Sequence, residues 1–338
     1  MARHYSVFGG RAEGARKERM AASKQFVDGA FANTSPLKGP GLKGNPLPLM
    51  GEYFFNKTAV TPPGPLPVHD PRASWQTANE TGLRVTWLGH STTLLELDGF
   101  RVLTDPVWGQ RASPLGFAGP KRFHEVPVRI ADLPRLDAVL ISHDHYDHLC
   151  FHTLRELAAL EVPFVTSLGV GAHLESWGIA PARIIELDWW QSRDLRGIQI
   201  HSVPNQHYSN RGSSDSNGSL WSAWVIKSAA GYAYFGGDTG YGPHFTHVFE
   251  RFGAPRVAVL PIGAYLPEAL MRPIHMSPRD AVQAATDLHA PLSVPMHFGT
   301  FALADDGEFE APTEVQRVSK ETGVPFKVLG FGESVDVP

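Results

Sequence analysis

The sequence predicts an α/β protein with mixed β-sheets, and three observations carry that prediction. From Leu83 onward, short strand-like runs alternate with helix-like ones. Ala138-Val139-Leu140-Ile141-Ser142 is a continuous apolar run, the signature of a strand covered on both faces. The runs 93–97 and 100–104 flank Asp98-Gly99, a strong signal for a tight hairpin turn. Many strands with helices between them suggest two sheets sandwiched by helices.

In chain order, residues 1–78 come first and differ from the rest. They are rich in Pro, Gly, Lys and Asn, as in Pro36-Leu37-Lys38-Gly39-Pro40, and show no sustained period. An extended or partly disordered N-terminal arm is expected, with Phe54, Phe55 and Trp75 lying on the main body. No chemistry is assigned to the arm. Residues 79–338 are expected to form the folded domain. Strands are predicted at 83–87, 93–97, 100–104, 138–142, 163–167, 183–187, 198–203, 221–226, 232–236, 257–262, 293–297 and 326–330. Helices are predicted at 151–161, 244–252, 278–289 and 313–322. Ser277 with Pro278 marks the start of the third helix, and Thr313 with Gln316 reads as a capping box for the fourth.

Composition bounds the function classes. The 338 residues are 42% hydrophobic and 19% charged, with a formal charge of −4, so nothing asks for a polyanionic partner. No nucleic acid is expected. The single cysteine, Cys150, excludes an intramolecular disulfide. No apolar run approaches the roughly 20 residues that span a bilayer, and the basic N-terminus lacks the apolar core of a secretory signal. A cytoplasmic location is the expectation.

The decisive segment follows the buried strand: Ser142-His143-Asp144-His145-Tyr146-Asp147-His148-Leu149. Four imidazole or carboxylate donors within six residues cannot all bind one ion from one side. In a loop, His143 and His145 can face one way while Asp147 and His148 face another, which suits two adjacent metals. Imidazole with carboxylate is a donor set that favours zinc, then iron or manganese. Further candidates stand at later strand ends: His207, Asp238 after two glycines, and His297.

The His-x-His-x-Asp-His run followed by a His, an Asp and a His, with successive spacings of 59, 31 and 59 residues from His148 to His207 to Asp238 to His297, resembles the metallo-β-lactamase superfamily. Within it the sequence is most similar to N-acylphosphatidylethanolamine-hydrolysing phospholipase D and its bacterial relatives. The similarity runs through 82–90, Leu103-Thr104-Asp105-Pro106, 119–123, 186–190, 237–241, 261–265 and 297–301. It implies an αββα sandwich of two mixed β-sheets flanked by helices. It further implies that His143, His145 and His207 hold one metal, that Asp147, His148 and His297 hold the other, and that Asp238 bridges them. Two divalent ions, zinc before iron or manganese, would hold a bridging hydroxide that attacks a phosphodiester. The candidate catalytic residues are Asp147, Asp238 and His275, the last lying near the substrate phosphate in that family. The implied partner is a phospholipid or another small molecule, with peripheral contact to the inner face of a membrane.

Other residues admit two readings. Asp105 either orients a ligand histidine or caps a turn, and His90 reads as a turn residue packed near the site. Trp189, Trp190 and Tyr265 read as core or as pocket lining, Cys150 as core, and Lys121-Arg122 as a solvated pair or an anion contact. The segment Glu268-Ala269-Leu270 departs from the Arg-Trp-Phe expected there, which changes charge and volume beside the pocket. Competing functions are a lactonase or other carbonyl hydrolase on a small, phosphorylated metabolite, an RNA-processing nuclease, and a non-catalytic metal-binding scaffold.

Overall fold

Asp98 and Gly99 take φ of 49° and 80°, the left-handed pair that a two-residue hairpin turn requires. They join Thr92–Leu97 to Phe100–Thr104, with Leu97 opposite Phe100. A computed structural model describes residues 6–37, 60–64, 66–212 and 215–338, so Phe54 and Phe55 lie outside the described residues.

In chain order the described elements begin with α1 (Gly14–Ala21), β1 (Phe26–Val27), β2 (Ala30–Phe31) and α2 (Arg72–Gln76). There follow β3 (Leu83–Gly89), β4 (Thr92–Leu97), β5 (Phe100–Thr104), β6 (Ala138–Ile141), α3 (Phe151–Leu157), β7 (Phe164–Ser167), α4 (Gly171–Ser176) and β8 (Ile184–Leu187). Next come β9 (Ser192–Leu195), β10 (Ile198–Val203), β11 (Ala223–Ser228), β12 (Gly231–Phe235), α5 (His244–Phe252) and β13 (Val257–Pro261). The chain closes with α6 (Glu268–Met271), α7 (Pro278–Asp287), β14 (Ser293–Met296), α8 (Glu310–Thr322) and β15 (Ser334–Asp336).

These strands form two mixed sheets. One has seven strands in the order β15-β3-β4-β5-β6-β7-β8, the other six in the order β14-β13-β12-β11-β10-β9. A central core joins their inner faces, with Val85, Leu95 and Leu140 from the first sheet meeting Ile200, Trp224, Phe235 and Met296 from the second. The outer face of the first sheet buries Val139 and Ile141 against Leu154, Leu157 and Leu174 of α3 and α4. The outer face of the second buries Tyr234 and Leu260 against α5, α7 and α8. The layers are therefore helix, sheet, sheet, helix, as the resemblance implied. β6 is buried along its whole length between parallel neighbours β5 and β7, which explains its unbroken apolar run.

Three expectations need correction. The segment read as an extended arm carries α1, the β1–β2 pair and α2 among its described residues. These elements are short, and they are held by contacts with distant residues rather than by local pattern: Arg16 and Arg19 pair with Glu186, and Met20 and Phe31 are buried. The predicted capping box at Thr313 is not used, because α8 begins three residues earlier at Glu310 with Pro312 inside its first turn. Proline is tolerated there, since its missing N–H has no helical partner in any case. The run 326–330 forms only a bridge from Phe326 to Ser293. Its apolar residues divide between two cores, Phe326 and Val328 on the helical side and Leu329 between the sheets.

Candidate metal centre

Histidine and aspartate converge at one rim of the sandwich because the loops after β3, β5, β6, β10, β12 and β14 all end there. The loop after β6 is shaped by its own backbone: the amides of His148 and Leu149 both donate to the His145 carbonyl, at 3.0 and 2.8 Å. This turn presents the four donors from His143 to His148. After β12, Gly237 adopts φ of 56°, and a Cβ there would lie 2.9 Å from the Cβ of Ser142. Glycine thus lets the two sheets close on each other and brings Asp238 against the 143–148 loop. His297 follows β14 with φ of 62°, and its amide donates to the His90 carbonyl at 3.0 Å. His90 and Asp105 also have positive φ, at 52° and 34°. Non-glycine residues rarely hold such angles unless the surrounding structure enforces them, and strain of this kind gathers at functional sites.

The donor atoms fall into two groups. In the first, His145 Nδ1 lies 2.9 Å from His143 Nε2 and 3.2 Å from His207 Nε2. In the second, Asp147 Oδ2 lies 3.4 Å from both His148 Nε2 and His297 Nε2. Asp238 Oδ2 is common to both: 3.0 Å from His148 Nε2 and His297 Nε2, and 3.8 and 3.9 Å from His207 and His143 Nε2. Ligand atoms about 2.0–2.1 Å from a tetrahedral zinc ion stand roughly 3.3 Å apart, so both sets of separations fit a cation.

The unsatisfied atoms point the same way. His148 Nε2 and His297 Nε2, two of these donor atoms, are buried and make no hydrogen bond. Burying such groups without partners is costly, and metal coordination is one way to meet that cost. Burial, with the neighbouring imidazoles, holds His143 and His207 well below their usual pKa, and burial lowers His145 as well. These three are neutral imidazoles with lone pairs to offer. Burial also opposes charge on His148 and His297, yet Asp238 and Asp147 outweigh it, raising His148 well above normal and His297 to about 9. Burial alone would raise Asp147 and Asp238, but the adjacent histidines hold both well below the usual carboxylate range. The two carboxylates are thus ionised and matched by positive charge, and a divalent cation supplies the same balance.

Around the donors lies a supporting layer. Asp105 Oδ2 accepts from His148 Nδ1 at 2.7 Å, while its Oδ1 accepts from the Ser142 amide at 2.7 Å. Of its two sequence readings, the orienting one describes this geometry. His207 Nδ1 donates to the Ile274 carbonyl at 2.9 Å, and the Ser142 hydroxyl bonds His143 Nδ1 at 2.8 Å. His90, read as a turn residue, is more than that, because its Nε2 meets Asp147 Oδ2 at 2.9 Å. His275 is buried with its ring 5.1 Å from that of His207 and 5.2 Å from that of His297. Burial holds its pKa down to about 4, so it is a neutral imidazole. All of the sequence-predicted site residues therefore meet at one place.

Several neighbours resolve as packing. Trp189 is buried with Trp221 and Phe31, and Cys150 with Val107 and Phe301. Arg122 is no solvated cation: it is buried, donates to the carbonyls of Val107 and Gly109, and stacks on Phe301. Two contributors carried no sequence signal. Asn33 bonds the backbone of His207 on both sides, and Arg211 binds the carbonyls of Asp144 and Leu149 at the two ends of the ligand loop. Both act on residues far away in the chain, where no motif or period records the pairing.

Residues 100–298 match the family described as the beta-lactamase superfamily domain. The chain belongs to that superfamily and is a metal-dependent hydrolase of the metallo-β-lactamase fold. Over 319 residues it is 45% identical to an uncharacterized protein of Mycobacterium tuberculosis, covering 93% of this chain and 84% of that one. It is 37% identical over 259 residues to N-acyl-phosphatidylethanolamine-hydrolyzing phospholipase D 1 of Caenorhabditis elegans, covering 74% and 72% of the two chains. Among solved structures, the metallo hydrolase Igni18 of Ignicoccus hospitalis shares the fold, with a TM-score of 0.58, 24% identity, and coverage of 75% of this chain and 97% of that one.

Proposed function

We propose that the protein is a dinuclear metal-dependent phosphodiesterase of phospholipase D type, acting on an N-acylphosphatidylethanolamine-like lipid. The observation that carries this is the pair of donor groups sharing Asp238 Oδ2, in a chain similar to the worm phospholipase. His143, His145 and His207 would hold one ion and Asp147, His148 and His297 the other, with Asp238 serving both. Zinc suits this mixed imidazole and carboxylate set best, with iron or manganese next. Two such ions, when bound, make water a nucleophile near neutral pH and neutralise charge on an attacked phosphoryl group.

The remaining work falls to the chain's own side chains. Asp105 and the Ile274 carbonyl hold His148 and His207 in the tautomer that turns Nε2 inward. His90 aligns Asp147. His275, neutral and beside His207 and His297, is placed to donate a hydrogen bond to a phosphoryl oxygen. The short helix α6, Glu268–Met271, contains the divergent residues Glu268 to Leu270 and ends where the Met271 carbonyl accepts from the His275 amide at 2.7 Å. Differences in that segment therefore act directly on the placement of His275. Exposed Phe117 and Leu115 on the loop between Arg111 and Lys121 support contact with an apolar surface.

The test presents zinc-loaded protein with vesicles containing N-acylphosphatidylethanolamine, beside a panel of soluble diesters and lactones. The expected result is release of N-acylethanolamine and phosphatidic acid, lost on chelation and in His145→Ala. Diesters left intact while lactones turn over would reassign the protein to carbonyl hydrolysis.

A further inference from the structure

We propose that the N-terminal segment from Val7 to Asn33 is a working part of the metal centre, with Asn33 as the positioning residue for His207; this rests on the two-ion reading above. His207 is fully buried, and its backbone turns both polar groups toward one side chain. Its amide donates to Asn33 Oδ1 at 3.0 Å, and Asn33 Nδ2 donates to its carbonyl at 2.8 Å. A third bond, from Trp221 Nε1 to Asn33 Oδ1 at 3.0 Å, fixes which way the amide faces. A short neutral side chain with a donor and an acceptor in one plane is what this pairing needs. An aspartate would set a second oxygen against the His207 carbonyl, and an alanine would leave two buried backbone groups unpaired.

Asn33 is itself held in place. Phe31 is buried with Met20, Leu168, Trp189 and Trp221, and its amide donates to the Asn217 carbonyl at 2.9 Å. With its backbone pinned by Asn33 and its Nδ1 by Ile274, His207 has its Nε2 directed at the first donor group. The same segment reaches the other half of the centre. Arg211 donates to the carbonyls of Asp144 and Leu149 at 2.6 and 2.9 Å, and its remaining nitrogens donate to those of Val7 and Phe8 at 3.2 and 3.3 Å. One segment thus braces the backbone on both sides of the donor set, at His207 and at the 143–148 loop.

The experiment uses full-length Asn33→Ala and Asn33→Asp beside wild type. Zinc affinity is measured by competition with a chromophoric chelator, and the visible spectrum is recorded with cobalt in place of zinc. Expected are binding of one of the two ions weakened about 10- to 100-fold and shifted cobalt bands. With bis(4-nitrophenyl) phosphate, kcat falls while KM is held. Unchanged affinity and an unchanged cobalt spectrum in both variants would overturn the proposal. If Asn33→Ala does not fold, Asn33→Asp decides, since it keeps the volume and the acceptor. If neither folds, Asn33 serves the fold and the proposal is likewise overturned. A wild-type chain that takes up no pair of ions would overturn the two-ion reading as well, which separates the two failures.

Discussion

Three donors converge on the carboxylate of Asp105: the His148 ring, the Ser142 amide and the Ser142 hydroxyl. The proton on His148 Nδ1 is thereby committed to Asp105, so Nε2 is the nitrogen that faces the donor group and can coordinate once a cation takes the place of its proton. Asp105→Asn keeps the shape but sets an N–H against that proton or forces the ring to the other tautomer. Zinc affinity at that half of the centre is expected to fall about 10- to 100-fold, as read by chelator competition. The donors themselves were legible in the sequence, because coordination demands a few residue types and strand ends place them together. The residues that hold the donors were less so. Asp105 left two readings open, and Asn33 acts on a backbone 174 positions away through an amide that any surface loop could carry.

Among the elements, the helix starts at 151, 244 and 278 and most of the strands fall where local pattern puts them. β6 and the β4–β5 hairpin follow from local pattern, since an unbroken apolar run and an Asp-Gly turn each carry a physical requirement. The start of α8 and the existence of α1 do not, because one lies beyond a tolerated proline and the other is held by ion pairs to β8. α7 is the instructive contrast. Ser277 Oγ accepts from the Asp280 amide at 3.2 Å, and the Asp280 carboxylate answers to the Ser277 amide at 3.4 Å. Ser277→Ala is expected to lower the unfolding free energy by about 1 kcal/mol, measured by urea titration.

At the scale of the whole molecule, two buried histidines outside the donor set make stability depend on pH. Burial lowers the pKa of both His124 and His244 to about 3. The folded protein therefore stays unprotonated at these positions while the unfolded chain takes up protons near pH 6.5. Stability from each is complete above that value and is lost as the pH falls below it. Between pH 7 and pH 5 each should contribute a loss of about 2 kcal/mol. In urea titrations at the two pH values, His124→Gln and His244→Gln should each flatten the profile by that amount, and an unchanged profile would refute the assignment. His124 stacks on Phe331 and bonds Thr300 Oγ1, which also receives the His90 amide, so this term reaches to the border of the site.

The division of donors between the two sheets has a mechanical side. His143, His145, Asp147 and His148 follow β6 in the seven-stranded sheet, while His207, Asp238 and His297 follow β10, β12 and β14 in the six-stranded one. Ions held by both sets would stitch the two halves of the sandwich together along one seam. In a chain with a single cysteine, that stitch takes the place a disulfide has in other sandwiches, with the difference that a chelator can draw the thread out and a metal salt can put it back.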